Sequence, residues 1–158
     1  MQDDAGVLAA NEEFYRAFES YDLPRMERLW VQAERSTCVH PGWQLLRGWA
    51  DIRESWLAIF TGLEVLRFTL SDVRPHRQAA LAWVTLHENI RNGPGPGRLA
   101  STVLATNVFE RGDDGLWRIV HHHASHVLRR APIGPRGRSG EREGTGGDGG
   151  GAAGGKRD

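Results

Sequence analysis

AALAWVTLHENIRN, residues 79–92, alternates between two kinds of side chain along its length. A period of two belongs to a β-strand, whose successive side chains point to opposite faces. Ala80, Ala82, Val84, Leu86, Glu88 and Ile90 form one face, apolar except for Glu88. Trp83, Thr85, His87, Asn89 and Arg91 form the other. A similar rhythm over 65–74, 98–111 and 116–128 predicts four strands in succession. Their connections carry turn residues: Pro75 and His76, NGPGPG at 92–97, and GDDG at 112–115. The chain from residue 65 onward therefore reads as an antiparallel meander.

Upstream the period is helical. Val7, Ala10, Phe14, Ala17 and Tyr21 share one face of a helix over 4–21. Asp22 resembles an N-cap, with Pro24 in the first turn of a short second helix carrying Met26, Leu29 and Trp30. STCVH at 36–40 is β-rich and stops at the turn pair Pro41-Gly42, and Gln44–Arg47 offers a short return strand. Gly48 opens a third helix, whose face is Trp49, Ile52, Trp56, Ile59 or Phe60, and Leu63. Helices followed by a meander make an α+β layout. The expected fold has three N-terminal helices packed in the concave face of a curved, mainly antiparallel sheet, a cone-shaped α+β barrel with a hollow between the layers.

The strand over 98–111 places Leu99, Val103, Ala105, Asn107 and Phe109 on one face, and Thr102, Leu104, Thr106 and Val108 on the other. Both faces are rather apolar, which does not suit a sheet with one side in water. A homodimer packed through the outer sheet face explains it.

Composition excludes several classes. Lys plus Arg and Asp plus Glu balance at 20 each, without the basic excess of a nucleic-acid binder. The start, MQDDAG, has no signal-peptide character, and no apolar run reaches the roughly 18–20 residues of a membrane span. Cys38 is the only cysteine, so no internal disulfide and no thiolate zinc cluster can form. A reduced, cytoplasmic setting is the expectation. Residues 132–158 are Gly-rich with almost nothing apolar after Ile133, and read as a disordered tail to a domain over 1–131. That tail lacks the strand and helix a dinucleotide fingerprint requires, and no cofactor is implied.

Three segments carry a resemblance: FYRAFESYDLPRMERLW (14–30), CVHPGWQLLRGWADIRESW (38–56) and ATNVFERGDDGLWRIVHHHAS (105–125). Over roughly residues 5–128 the chain resembles the SnoaL-like, ketosteroid-isomerase-like group of the nuclear transport factor 2-like superfamily. That superfamily hosts isomerases, cyclases, dehydratases, hydrolases and non-enzymatic association domains, so function has to come from the site. The resemblance maps the general-base position of a ketosteroid isomerase onto His40, before Pro41. It maps the second, oxyanion-donating position onto Asn107, and the oxyanion tyrosine onto Phe14. Tyr15 is adjacent but about 100° away round the helix. The base is thus an imidazole, one donor is an amide, and the phenol is missing from its usual place.

The residues themselves allow acid–base chemistry. Histidine takes up a proton near neutral pH, and an amide can donate to a developing oxyanion. Glu88, alone on an apolar face, is the residue whose carboxyl burial would shift. Trp43 and Trp56 are expected to wall the cavity, with Phe14 and Phe109 beside them. The competing reading is a non-catalytic association or ligand-binding module, its cavity plugged by Trp56, Phe60 and Phe109.

The last strand contains HHH at 121–123. The resemblance turns Val120, His122 and Ala124 inward, and His121, His123 and Ser125 outward. Periodicity is ambiguous, because Trp117 and Ile119 share the parity of His121 and His123, and a bulge could reverse the assignment. Outward, His87, Thr106, His121 and His123 would lie in the dimer interface. The association domain of calcium/calmodulin-dependent kinase II has a similar H-x-H-x-S ending, but its pocket arginines are replaced here by Asn107 and Ala124. Adjacent strand residues point opposite ways, so the row is not a metal-ligand spacing. His121, His123 and His87 could share an ion only with further ligands, and no metal is expected.

Overall fold

The hydrophobic periods resolve into helices α1 (Ala5–Ser20), α2 (Leu23–Glu27) and α3 (Trp49–Phe60). The strands are β1 (Thr37–Val39), β2 (Leu46–Arg47), β3 (Leu66–Gln78), β4 (Leu81–Asn92), β5 (Arg98–Arg111) and β6 (Trp117–His126). The structure, a computed structural model, describes residues 4–62, 64–93 and 98–128. Leu63, most of the NGPGPG turn and the Gly-rich tail lie outside the described residues. The six strands form one sheet in the order β2-β1-β6-β5-β4-β3. It is mixed and not closed: β1 runs parallel to β6, and the other pairings are antiparallel.

Local chemistry sets the start of α2 and the end of α1. The Asp22 carboxylate accepts from the Arg25 N–H at 3.0 Å, so it caps α2, with Pro24 in the first turn. Tyr21 ends α1 in a left-handed conformation, φ 54°, and its hydroxyl donates to the Glu64 carbonyl. The buried residues of α1 are Val7, Asn11, Phe14, Tyr15 and Ala17. This stripe is turned relative to the expected one: Asn11 and Tyr15 replace Ala10 and Tyr21. A core-facing stripe is 100° wide or more, so neighbours such as Phe14 and Tyr15 can both face inward.

β4 keeps the expected alternation, with Ala82, Val84, Leu86 and Glu88 buried beneath the helices. Three expectations are corrected. Pro75 does not turn the chain, because β3 runs through it to Gln78 and Pro75 pairs with Val84. β3 is an edge strand, where a missing N–H costs no ladder bond. The turn falls instead at Ala79, φ 54°. Leu99 leaves the inner face of β5, because the register shifts between Ile90 and Arg91 and sets Leu99 opposite outward-facing Arg91. Val120 is not part of the buried inner row: Val108 pairs with His121 but Phe109 pairs with Ile119, so Val120 is the extra residue of a bulge. One bulge places both Ile119 and His122 in the core, which resolves the clash of parity in the last strand.

Among the described residues, the largest fully buried side chains are Trp30, Trp56, Phe14 and Phe109. Trp56 sits centrally, with ring centroids 5.6 Å from Phe14, 4.9 Å from Phe18 and 4.8 Å from His40.

Candidate functional site

His40 follows the last residue of β1. Gly42, at φ 81°, allows the tight Pro41-Gly42 turn, closed by the Trp43 N–H to the His40 carbonyl at 2.9 Å. The turn folds the imidazole inward, and His40 is only 3% exposed. His40 Nε2 lies 2.9 Å from the Ser55 hydroxyl on α3, which also contacts the Ile52 carbonyl at 2.6 Å. Ser55 has one hydrogen. Donating it to Ile52 leaves the oxygen to accept from Nε2–H. The Cys38 sulfur lies against the ring, 3.7 Å from Nε2 and 4.0 Å from Nδ1. Burial pulls the His40 pKa down to about 4 and raises that of the Cys38 thiol, so both are neutral at pH 7.

Glu88 projects from the inner face of β4 and is 3% exposed. Burial pushes its pKa up to about 7, partly opposed by the Tyr15 hydroxyl, which donates to Oε1 at 2.6 Å. His122 on β6 is fully enclosed, with Nδ1 2.5 Å from Asn107 Oδ1. Burial lowers its pKa well below the usual value, and the nearby His40 adds to this. The two imidazole centroids are 6.2 Å apart.

One cavity of about 400 Å³ joins these groups. His40, Glu88 and His122 line it together with Phe18, Trp43 and Phe68. Among the described residues lining it there is no Lys or Arg, which is why the Glu88 carboxyl meets no cation. Trp43 forms part of the rim, 46% exposed and edge-on to His40.

Four other expected members are placed differently. Asn107 is fully buried and does not line the cavity, and its amide nitrogen contacts Asn11 Oδ1 at 2.9 Å and the Tyr15 oxygen at 3.2 Å. Phe14, Trp56 and Phe109 pack in the core rather than on the wall. Phe14 backs the His122 ring at 5.2 Å. The cavity walls come instead from Phe18 and Phe68, whose centroids are 4.6 Å apart. The reason is the breadth of the α1 stripe: Phe14 turns toward α3 and β6, and Phe18 toward β3.

Sequence reasoning missed Tyr15, Asn11 and Ser55. A phenol stands at position 15 beside the position expected for it, but its hydroxyl donates to Glu88 and it does not line the cavity. Asn11 was detectable: it lies four residues from both Val7 and Tyr15, a polar side chain on a buried stripe. Ser55 carried no signal beyond lying one turn from Ile52.

On the opposite face of the sheet, Thr37 contacts His121 Nδ1 at 2.7 Å, and the His121 and His123 centroids are 6.0 Å apart. Among the described residues, no group of three or more His, Cys, Asp or Glu is arranged to hold a metal ion. Among the same residues, no helix is long and apolar enough to cross a membrane.

The profile of the SnoaL-like domain family matches residues 7–129. A candidate dehydratase of the NTF2-like family from Streptomyces avermitilis is 38% identical, with 78% of this chain and 95% of that one covered at a TM-score of 0.71. A candidate calcium/calmodulin-dependent protein kinase type II association domain from Thiobacillus denitrificans is 31% identical, with 77% and 94% covered at a TM-score of 0.70. The F-box protein SKIP8 of Arabidopsis thaliana is 31% identical over 122 residues, 77% of this chain and 50% of that protein. The chain thus spans about half the length of this curated relative.

Proposed function

The chain belongs to the SnoaL-like domain family, and we propose that it is a cofactor-independent dehydratase acting on a small, largely apolar hydroxylated molecule. The observation that carries this reading is the pairing of a neutral imidazole, His122, with a carboxyl whose pKa lies near 7, Glu88, on one cavity whose described lining holds no Lys or Arg. His122 engages Asn107 through Nδ1, and its Nε2 has no protein partner among the described residues. In elimination, Nε2 takes a proton from the carbon next to the carbinol, and the C–H electrons form the double bond. The C–O bond breaks, and protonated Glu88 gives its proton to the departing hydroxyl, which leaves as water. His40 acts as a neutral wall and orienting contact, its Nε2 held by Ser55 and its ring packed against Cys38.

The hydrogen bonds favour elimination over isomerisation through an enolate. Isomerisation needs donors held at a full enolate oxygen, whereas a concerted elimination needs one acid at the departing hydroxyl. The Asn107 amide hydrogens go to Asn11 and Tyr15, and the Tyr15 hydroxyl goes to Glu88. Among the described buried residues lining the cavity, protonated Glu88 is the acid left with a hydrogen to donate. The 38% identical candidate dehydratase supports the same choice.

The test is a panel of apolar β-hydroxy ketones, followed by the ultraviolet absorbance of the enone. Wild-type protein is expected to turn over at least one member, and Glu88→Gln to lose about 10²–10⁴-fold. The rate should fall as pH rises through about 7, where Glu88 loses its proton, and again in acid, where His122 gains one. Turnover untouched by both Glu88→Gln and His122→Gln would remove the mechanism, and a panel without any turnover would favour the binding-module reading.

The outer face supports a second copy of the chain as partner. Thr106 pairs with His123, and His87 with Leu104, so the expected interface residues share one face. Leu104 and Leu99 stand 45% and 53% exposed there, with half-buried Trp83 and Val108 beside them. Sedimentation is expected to give a dimer, and Leu104→Glu a monomer with the fold retained. A wild-type monomer at micromolar concentration contradicts it.

A further inference from the structure

We propose that Asn11 and Asn107 are positioning residues that hold His122 as the Nδ1–H tautomer, so that its only accepting nitrogen, Nε2, serves the cavity. The proposal deepens the reading of this site as one built around a His122 base, and it requires the ligand atom bound there to carry a hydrogen.

Along one buried chain of side chains, each hydrogen has a single place to go. Tyr15 has a single hydroxyl hydrogen, and its oxygen contacts Glu88 Oε1 at 2.6 Å and the Asn107 nitrogen at 3.2 Å. The Asn107 nitrogen is a donor only, so the Tyr15 hydrogen goes to Glu88. The Tyr15 oxygen then accepts one amide hydrogen of Asn107. The other goes to Asn11 Oδ1 at 2.9 Å. Both hydrogens of the amide are now placed, and its oxygen points the other way, 2.5 Å from His122 Nδ1. Two acceptors at that separation would repel, so the hydrogen between them is on Nδ1.

Reversing the chain is expensive. Turning the Asn107 amide over would set its oxygen against Asn11 Oδ1 unless Asn11 turned as well. It would also draw the Tyr15 hydrogen away from the Glu88 carboxylate. These side chains are buried, Asn11 to 1% and Asn107 to 0% exposure, where an unmatched polar group costs about 1–3 kcal/mol. Asn11 therefore acts at a distance: it fixes which way Asn107 faces, and Asn107 fixes where the imidazole carries its proton. The other buried histidine of the cavity does not share this arrangement, since Ser55 holds His40 through Nε2 instead. The two buried rings of the cavity are thereby held in opposite tautomers.

The experiment is nitrogen NMR of protein labelled with ¹⁵N in its histidine rings, at pH 8, with His122 assigned by difference from His122→Gln. Wild-type protein is expected to show the proton on Nδ1 and an unprotonated Nε2. Asn107→Leu removes the acceptor, and the Nδ1–H form should fall from the whole population to a minority. Asn107→Asp keeps an acceptor and should keep the Nδ1–H signature. Asn11→Leu should give an intermediate loss, because Tyr15 still holds one side of the amide. A wild-type proton on Nε2 overturns the proposal even if no variant folds, and so does an Asn107→Leu spectrum identical to wild type. The measurement uses no substrate, so it can fail while dehydration stands, or succeed while the panel gives no turnover.

Discussion

Replacing Trp56 with alanine is expected to lower the unfolding free energy by about 3–5 kcal/mol, the usual cost of truncating a fully buried large aromatic. Trp56 is 0% exposed and stands between layers, with Phe14, Phe18 and Phe60 on one side and His40 and His122 within 6.4 Å on the other. Its removal leaves a void that close-packed neighbours cannot collapse to fill. The two imidazoles lose a shared wall, so their exposure and their pKa values should rise toward ordinary ones. Trp56→Phe is the instructive comparison. The indole N–H is buried without a partner among the described residues. Phenylalanine removes that unmatched donor, so it should cost much less than alanine. Urea denaturation at pH 7 measures both, and an alanine variant within 1 kcal/mol of wild type, by the same scale, would contradict the packing described.

The second large effect concerns Glu88 and the direction of the pH dependence. Its pKa is raised from 4.5 to about 7, so the folded chain holds a proton that the unfolded chain releases between those values. Stability from this group is complete below pH 4.5 and declines as pH rises to about 7. The shift corresponds to roughly 3 kcal/mol of ionisation penalty above pH 7. Glu88→Gln keeps the acceptor for Tyr15 and carries no charge, so at pH 8.5 it should be more stable than wild type by on the order of 3 kcal/mol. At pH 4.5 the two proteins should be nearly equal. His40 runs the other way: with its pKa lowered to about 4, stability is complete above the usual 6.5 and is lost as pH falls. Between about 4.5 and 6.5 the two slopes oppose, and the Glu88→Gln protein should expose the histidine slope. A variant that gains stability while losing turnover is the pattern of a group kept for chemistry.

How far the sequence carried this account differs from element to element. The β4 alternation placed Glu88 correctly because a period of two admits only two faces. His122 could be turned inward by resemblance but not by periodicity, since the bulge at Val120 shifts parity inside the strand. A single inserted residue leaves no mark in composition. Pro75 misled because its turn preference is real, and only the edge position of β3 makes it harmless there. On α1, spacing gave the stripe but not its breadth, so Tyr15, set aside as about 100° away round the helix, proves to be buried beside Phe14 with its hydroxyl on Glu88. The polar partners were hardest to read. Asn11, Asn107, Tyr15 and Ser55 acquire meaning only from hydrogen bonds between residues far apart in the chain, such as Asn107 to Asn11 across 96 positions.

The mechanism turns on Glu88 being a protonatable acid at neutral pH inside a cavity shared with a neutral His122. Its most direct test is the titration of the Glu88 carboxyl carbon by ¹³C NMR, assigned by difference from Glu88→Gln. A midpoint near 7 is expected. A midpoint at the ordinary glutamate value of 4.5 would mean that water or a cation reaches the carboxylate, and the acid the mechanism needs would not exist.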